Sequence, residues 1–179
     1  LTVEVPKGIL LNVTTTSAGI AADIGEQAEV TLHSTSGTIE VTDGTVAGKL
    51  TLGTTSGGIQ AEKMEAAVLA AETTSGTIRL ESAKITESAS LESTSGGIRA
   101  ERMMAVGGTV SVRSNSGSVR LEEVRAKTLA AKTTSGGVTL MSLKPGQTVV
   151  RATTDLSEFA DGSKGLKKLK IPATGVPLK

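Results

Sequence analysis

The tripeptide Thr-Ser-Gly, or a close variant of it, recurs along the chain at nearly constant intervals. Its serine stands at seven positions, separated by 19, 20, 19, 20, 21 and 19 residues: Ser17, Ser36, Ser56, Ser75, Ser95, Ser116 and Ser135. A unit of this length is too small to bury a core alone, so neighbouring copies must stack and share one. The repeat therefore constrains the chain to a linear stack of equivalent units.

Within a unit, apolar and polar residues alternate on both sides of this serine. In the third unit the apolar positions before it are Leu50 and Leu52, and those after it are Ile59 and Ala61. A period of two is typical of half-buried strands, whereas a helix would show a period of 3.6 residues. We therefore predict two short strands in each unit.

The Ser-Gly pair between the two strands is predicted to form a corner. We expect its glycine to adopt a positive φ, which residues with a side chain disfavour. The corner serine, and the serine or threonine two residues before it, have the parity of the apolar positions. Both hydroxyls should therefore point inward and bond to neighbouring backbone or to each other. The predicted corner residues are Ser36, Gly37, Ser56, Gly57, Ser75, Gly76, Ser95, Gly96, Ser116, Gly117, Ser135 and Gly136.

These patterns predict an all-β fold, a right-handed parallel β-solenoid (β-helix) with repeat units of about 20 residues. The length of one coil stays open at this point. Residues 57–64 (GGIQAEKM) and 96–103 (GGIRAERM) match across 39 residues better than adjacent units match each other. A coil therefore holds either one unit, or two units paired into about 40 residues.

The two ends of the chain differ from the middle. Residues 1–8 are predicted to form an entry strand with a Pro-Lys-Gly turn. The repeat register stops after Thr154, so we place the solenoid domain at residues 1–154 and a C-terminal cap and basic tail at residues 155–179. Phe159 is expected to plug the open end of the core.

Composition excludes several classes of function. The chain has one Phe and no Tyr or Trp, which argues against a sugar cleft of stacked rings and against a stacking platform for nucleic acid. The net charge is +1, and there is no Cys for a disulfide, a thiolate metal site or a nucleophile. His33 is the single histidine of the sequence and stands at an outward position. Because there is no second histidine, the chain has no metal-binding pair of histidines. We expect no catalytic residue, no metal, no cofactor and no nucleic-acid partner.

Outward charges form a pattern of their own after each corner. Arginines stand four residues after the corner serine, and glutamates stand two residues further on: Arg79, Arg99 and Arg120, then Glu81, Glu101 and Glu122. Residues two apart on a strand share a face, so a basic column should run beside an acidic one. The two columns could simply neutralise each other, at ~0.2–1 kcal/mol per exposed pair. Alternatively, the arginines could bind carboxylate or phosphate groups of a partner.

Another outward column lies three residues before the corner serine. It reads Thr14, His33, Gly53, Glu72, Glu92, Arg113 and Lys132. A flat face of the ice-binding type needs two uniform columns of threonine side by side. Because this column mixes threonine with glycine and charged residues, it cannot serve as the second one. Ice binding is therefore excluded.

The units T-T-S-G-G-I-x-A-E and T-T-S-G-T-I-R-L-E, preceded by L-T-V-E-V-P-K-G, resemble the bacterial β-strand-repeat adhesin family. The resemblance covers about residues 1–155. It implies a solenoid domain of unknown function at the extracellular side of the bacterial envelope, and it identifies no functional residues. Contact with a membrane is expected only through a segment that this sequence does not contain.

The leading hypothesis for function is a non-enzymatic cell-surface or envelope module, either an adhesin or a structural binding scaffold. Its expected partners are an anionic wall polymer, an acidic glycan or a host surface protein. Two alternatives stay open, a β-helical polysaccharide lyase or hydrolase that uses the Arg/Glu face, and an accessory domain of envelope stress signalling. An enzyme should interrupt the repeat with an unusual acid cluster or an insertion, and this sequence shows neither.

Overall fold

The computed structural model describes residues 5–141 and 149–154. In this part of the chain, 14 strands form one continuous sheet that winds into a β-solenoid of about seven turns. All of the strand pairs between neighbouring coils are parallel. The predicted parallel β-solenoid is thus confirmed.

The strands are β1 (Leu10–Thr15), β2 (Ile20–Ala22), β3 (Gly25–Gln27), β4 (Glu29–Ser34), β5 (Ile39–Thr54), β6 (Ile59–Thr73), β7 (Ile78–Glu81), β8 (Lys84–Ser93), β9 (Ile98–Glu101), β10 (Met104–Ser114), β11 (Val119–Glu122), β12 (Arg125–Thr133), β13 (Val138–Met141) and β14 (Val149–Thr154).

Each coil that the structure describes from corner to corner contains three strand segments rather than the predicted two. In β5 they are segment a (residues 39–42), segment b (44–46) and segment c (49–54), each paired with the equivalent segment of β6. Segments a and c are the two strands that the alternation predicted. Segment b is only three residues long, which is too short to show a period of two in the sequence.

One repeat unit makes one coil. Ile39 pairs with Ile59, and Ile59 pairs with Ile78, so equivalent residues of adjacent units lie side by side. The alternative of 40-residue coils is therefore wrong. Differences in unit length are accommodated at the bend between segments b and c, where one residue lies between Ala66 and Val68 but three lie between Ala105 and Thr109.

The 39-residue similarity has a packing origin. In one coil Ala61 is followed by Met64, and in the next coil Leu80 is followed by Ala83. All four side chains are buried in the shared core. A large residue on segment a is thus matched by a small one at the start of segment b, and the order reverses in the next coil. Because cores are close-packed, this alternation keeps the enclosed volume nearly constant from coil to coil.

The reason predicted for the corner glycines is wrong, although these residues do lie at a bend. Among the described residues the glycines with positive φ are Gly8 and Gly25, and no corner glycine is one of them. The left-handed residues are non-glycine residues at the bend between segments a and b: Asp43, Lys63, Ser82, Arg102 and Glu123. A Cβ atom on a corner glycine would instead overlap the backbone carbonyl of the stacked coil, as at Gly76 against Gly57. Glycine is required here by the close approach of two coils.

The two predicted inward hydroxyls differ in their environment. The corner serines are exposed, contrary to the prediction, because the chain bends at that point. The residues two positions earlier are buried as predicted: Ser34, Thr54, Thr73, Ser93, Ser114 and Thr133. The Thr73 hydroxyl accepts a hydrogen bond from the Gly76 amide at 3.0 Å and donates one to the Gly57 carbonyl at 3.0 Å. Each buried hydroxyl thus links its own corner to the previous coil.

The structure tests the predictions for the two ends of the chain only in part. Lys7 and Gly8 form the predicted turn, and the Gly8 amide donates a hydrogen bond to the Glu26 carbonyl at 2.9 Å. The first half of the entry strand, the C-terminal cap at residues 155–179 and the Phe159 plug lie outside the described residues.

Candidate anion-binding face

Segment a places the three predicted arginines in one straight column. Arg79 pairs in register with Arg99, and Arg99 with Arg120. Adjacent strands lie ~4.8 Å apart, so the outer two arginines are separated by roughly 10 Å along the solenoid axis. Their side chains are 50%, 44% and 46% exposed. The column thus presents three accessible guanidinium groups at regular intervals, and we call it the arginine column.

The three predicted glutamates form a parallel column beside it. Glu81 pairs with Glu101, and Glu101 with Glu122. Each glutamate contacts the arginine two residues earlier on its own strand. Arg79 lies 3.8 Å from Glu81, Arg120 lies 3.6 Å from Glu122, and Arg99 forms an ion pair with Glu101. Sequence spacing thus placed both columns on one face, and the structure brings their charges together.

Sequence reasoning missed one arginine of this face. Arg102 follows Glu101 directly and lies at the left-handed bend, with a φ of 51°. From there its guanidinium pairs with Glu81 of the previous coil and its Nε donates a hydrogen bond to the Ser82 hydroxyl at 3.0 Å. A turn residue could not be assigned a direction from the alternation alone, because the period of two ends at the bend. Glu81 is consequently shared between two arginines.

The arginines lower the pKa of Glu101 below its ordinary value of 4.5. The hydrogen bond from Arg99 is the largest cause; desolvation opposes it, and the positive charges of Arg99, Arg79 and Arg102 reinforce it. With Arg102 included, four arginines lie on this part of the surface, and Glu62, in register with Glu81, is a fourth glutamate of the neighbouring column. The positive and negative charges of these two columns therefore balance.

Removing the charge of Glu101 is expected to lower stability at neutral pH and to have little effect in strong acid. A carboxyl group whose pKa is lowered on folding stabilises the folded state at every pH above its unfolded pKa, and this contribution is lost as the pH falls through the folded value. Urea unfolding of the parent and Glu101→Gln between about pH 7 and pH 2 measures it. A stability difference that stays constant over this range would contradict the assignment.

The arginine column has definite ends. Towards the N-terminus it continues as Gln60 and Glu40, and after Arg120 the next coil carries Thr139. The residues two positions after the corner serine flank the column on its other side and are small, such as Thr77, Gly97 and Ser118. An extended ligand could therefore approach the guanidinium groups from this side without meeting a large side chain.

A second charged surface lies on the other side of the corner, on segment c. An open groove of about 470 Å³ is lined there by Glu72, Glu92, Arg113 and Lys132, together with corner residues such as Thr94. The four charged residues are neighbours in register. In the groove, Arg113 lies 3.6 Å from Glu92. The sequence contained this column, but its arrangement into two acids and then two bases across adjacent coils needed the register of the structure.

Two further observations concern the described residues alone. They contain no group of three or more His, Cys, Asp or Glu residues arranged to hold a metal ion. In the same part of the chain, no helix has the length and apolar character needed to cross a membrane.

Comparison with known proteins identifies a family. The model of the family described as Toastrack DUF4097 matches residues 10–106, which is more than half of the chain. This span runs from β1 into β10 and includes Arg79 and Arg99 but not Arg120. No curated protein and no solved structure matches.

Proposed function

The chain belongs to the Toastrack DUF4097 family of repeat β-domains of unknown function, and from this premise we propose that it is a non-enzymatic binding module whose arginine column holds a linear polyanion. The observation that supports the proposal is the register of Arg79, Arg99 and Arg120 on three successive coils. We further propose that the module works at the cell surface, where wall polymers and acidic glycans are accessible.

The arginine column suits a repeating ligand better than a small one. A guanidinium group binds carboxylate or phosphate through two parallel hydrogen bonds. A single anionic group would meet one arginine at an exposed surface and gain little. A polymer with anionic groups spaced by about 5 Å, or by a multiple of it, would meet several arginines of the column at once. The weak contacts would then add through a high effective concentration.

The glutamate column limits the affinity and supplies selectivity. Each arginine of the column already faces a carboxylate, at 3.8 Å for Arg79 and 3.6 Å for Arg120. A ligand must compete with these carboxylates, so binding should be modest and should weaken strongly with salt. Because the glutamates repel anions that approach from their side, only a ligand lying along the small-residue flank of the column is favoured.

The enzymatic alternative has no comparable support on this face. Each of the three glutamates is ion-paired with an arginine on its own strand, whereas glycoside hydrolysis needs a carboxylic acid that donates a proton to the leaving group. The repeat runs through the arginine column without an insertion. We therefore propose binding rather than cleavage of a polymer.

Neutralising the arginine column is expected to abolish retention on immobilised polygalacturonate at low salt. The variant carries Arg79→Gln, Arg99→Gln and Arg120→Gln, which remove three of the contacts and leave the strands unchanged. Retention is measured by the salt concentration needed for elution. Circular dichroism and thermal unfolding establish that the variant is folded.

A matched control removes three positive charges elsewhere. Lys49→Gln, Arg125→Gln and Lys127→Gln change exposed residues on other parts of the coil. The control should elute close to the parent. Equal loss of retention in both triple variants would mean that net charge alone causes binding. Retention of the arginine variant at the parental level would move the contact elsewhere, with the lysine-rich residues 164–179 as the next segment to delete.

A further inference from the structure

We propose that the groove on segment c is the interface of a homodimer in which two solenoids lie face to face with their axes antiparallel. The proposal concerns a different surface from the arginine column and does not depend on the proposed function. It rests on the order of charges and of small residues along adjacent coils.

The charges of the groove change sign once along the solenoid axis. Four neighbouring coils contribute, in register, Glu72, Glu92, Arg113 and Lys132. Reading the column in the opposite direction gives two bases and then two acids. The column is therefore complementary to its own reverse.

The column beside it is symmetric about the same point. Two residues earlier on each segment c stand small side chains, in register: Ala70, Ser90, Ser111 and Ala130. Read backwards, the order is the same. All four are half-buried, and small residues on a flat sheet let another sheet approach closely.

One symmetry operation satisfies both columns. A two-fold axis along the strand direction, between the coils of Glu92 and Arg113, reverses the solenoid axis and leaves each column facing itself. Glu72 of one copy then faces Lys132 of the other, and Glu92 faces Arg113. Between them Ala70 faces Ala130, and Ser90 faces Ser111. Such an isologous arrangement makes every contact twice, which is how most homodimers are built.

The free charges of the groove support this arrangement. Arg113 and Glu92, at the centre, already form a pair of 3.6 Å and are 64% and 45% exposed. Glu72 and Lys132, at the two ends, form no ion pair with any other described residue. In the dimer, each of these end charges would face an opposite charge of the other copy. The two sets of charges would align because both copies have the same spacing between coils.

The size of the contact predicts a weak dimer. Up to six coils per copy overlap about this axis. With ~4.8 Å between strands and ~3.4 Å per residue, the overlapping face measures roughly 29 Å by about 17 Å. This amounts to roughly 500 Å² per copy, or about 1,000 Å² in total, at the lower end of specific interfaces. With four ion pairs across it, the dimer should dissociate at high salt. Two arginine columns would then face outward and could engage one polymer together.

The test reverses the charge at each end of the groove in a single variant and then exchanges the two charges in a double variant. Sedimentation velocity at low salt should show the parent associating at high micromolar concentration and dissociating at high salt. Glu72→Lys and Lys132→Glu should each weaken association by about tenfold or more, because each reversal creates two repulsive contacts per dimer. The double variant Glu72→Lys, Lys132→Glu restores complementarity with the signs exchanged, so its dissociation constant should return close to the parental value.

Matched controls reverse charges on the far side of the coil. Lys63→Glu and Glu123→Lys lie at exposed positions of the bend between segments a and b and should leave association unchanged. A parent that stays monomeric at high concentration and low salt would overturn the proposal. So would a double variant that associates as weakly as the two single variants, since self-complementarity would then not be the cause. Thermal unfolding confirms that all variants are folded.

Discussion

Gly76→Val is expected to destabilise the solenoid by about 4 kcal/mol or more, or to prevent folding altogether. A Cβ atom at this position would overlap the carbonyl group of Gly57 on the stacked coil and lie 2.9 Å from the Gly58 amide nitrogen. Backbone atoms on both sides cannot move without breaking parallel pairing in the middle of the stack. The variant is compared with the parent by guanidinium unfolding.

Gly76→Ala separates this explanation from one based on backbone conformation. Because the φ of Gly76 is not positive, alanine is conformationally acceptable there, and its cost must come from the overlap with Gly57. Gly137→Ala is the matched control, since a Cβ at Gly137 meets nothing within 4 Å. Gly76→Ala should therefore cost several times more than Gly137→Ala. Equal costs would show that the coils do not approach closely at the corner.

Thr73→Val is expected to cost about 2–6 kcal/mol although the two side chains have nearly the same shape. Thr73 is 1% exposed, and its hydroxyl joins the Gly76 amide to the Gly57 carbonyl. Valine would leave both backbone groups without this partner, and an unsatisfied buried group costs about 1–3 kcal/mol. Denaturant unfolding of the parent and the variant measures the loss.

Two further variants serve as controls for Thr73→Val. Thr73→Ser keeps the hydroxyl, and other coils carry serine at the equivalent position, so it should recover most of the stability. Thr74→Val changes the adjacent, exposed threonine and should stay within about 0.5 kcal/mol of the parent. If Thr73→Val proved as stable as Thr73→Ser, the buried hydroxyl column would have no role in joining the coils.

Much of the fold follows from the sequence because the repeat is regular. The spacing of the Thr-Ser-Gly tripeptides predicted stacked coils, and the alternation of apolar residues predicted which side chains face inward. Ile39, Ile59 and Ile78 share one position of the repeat and lie side by side in the structure. The same logic placed the arginine column and the glutamate column on one face. Periodicity is thus sufficient wherever the chain is extended.

The errors lie where the chain bends or where two coils meet. Segment b and the left-handed residues, such as Lys63, fall between the two alternating stretches, so no periodic signal described them. The role of Gly76 depends on Gly57, which is 19 residues away and comes into contact only after stacking. Small and large core residues, such as Ala61 and Leu80, alternate from coil to coil. This alternation makes every second unit similar in sequence and so suggested a coil of about 40 residues. Contacts between coils, such as Arg102 with Glu81, could not be derived from one unit alone.

The arginine column also defines how binding should depend on ligand length. Its three guanidinium groups span roughly 10 Å, or two steps of ~4.8 Å. A ligand with one anionic group contacts one arginine, whereas a longer ligand can contact all three arginines. Beyond that length, added groups extend past Arg79 towards Gln60, or past Arg120 towards Thr139, where no arginine continues the column.

Affinity for oligogalacturonates of one to six residues, measured by calorimetry at low salt, therefore tests the proposed function most directly. The protein is held below the concentration at which it associates with itself. We predict that affinity rises with length until the ligand spans the arginine column and then levels off, and that the rise is absent in the Arg79→Gln, Arg99→Gln, Arg120→Gln variant. Affinity that does not depend on ligand length, or a rise that persists in this variant, would contradict the account.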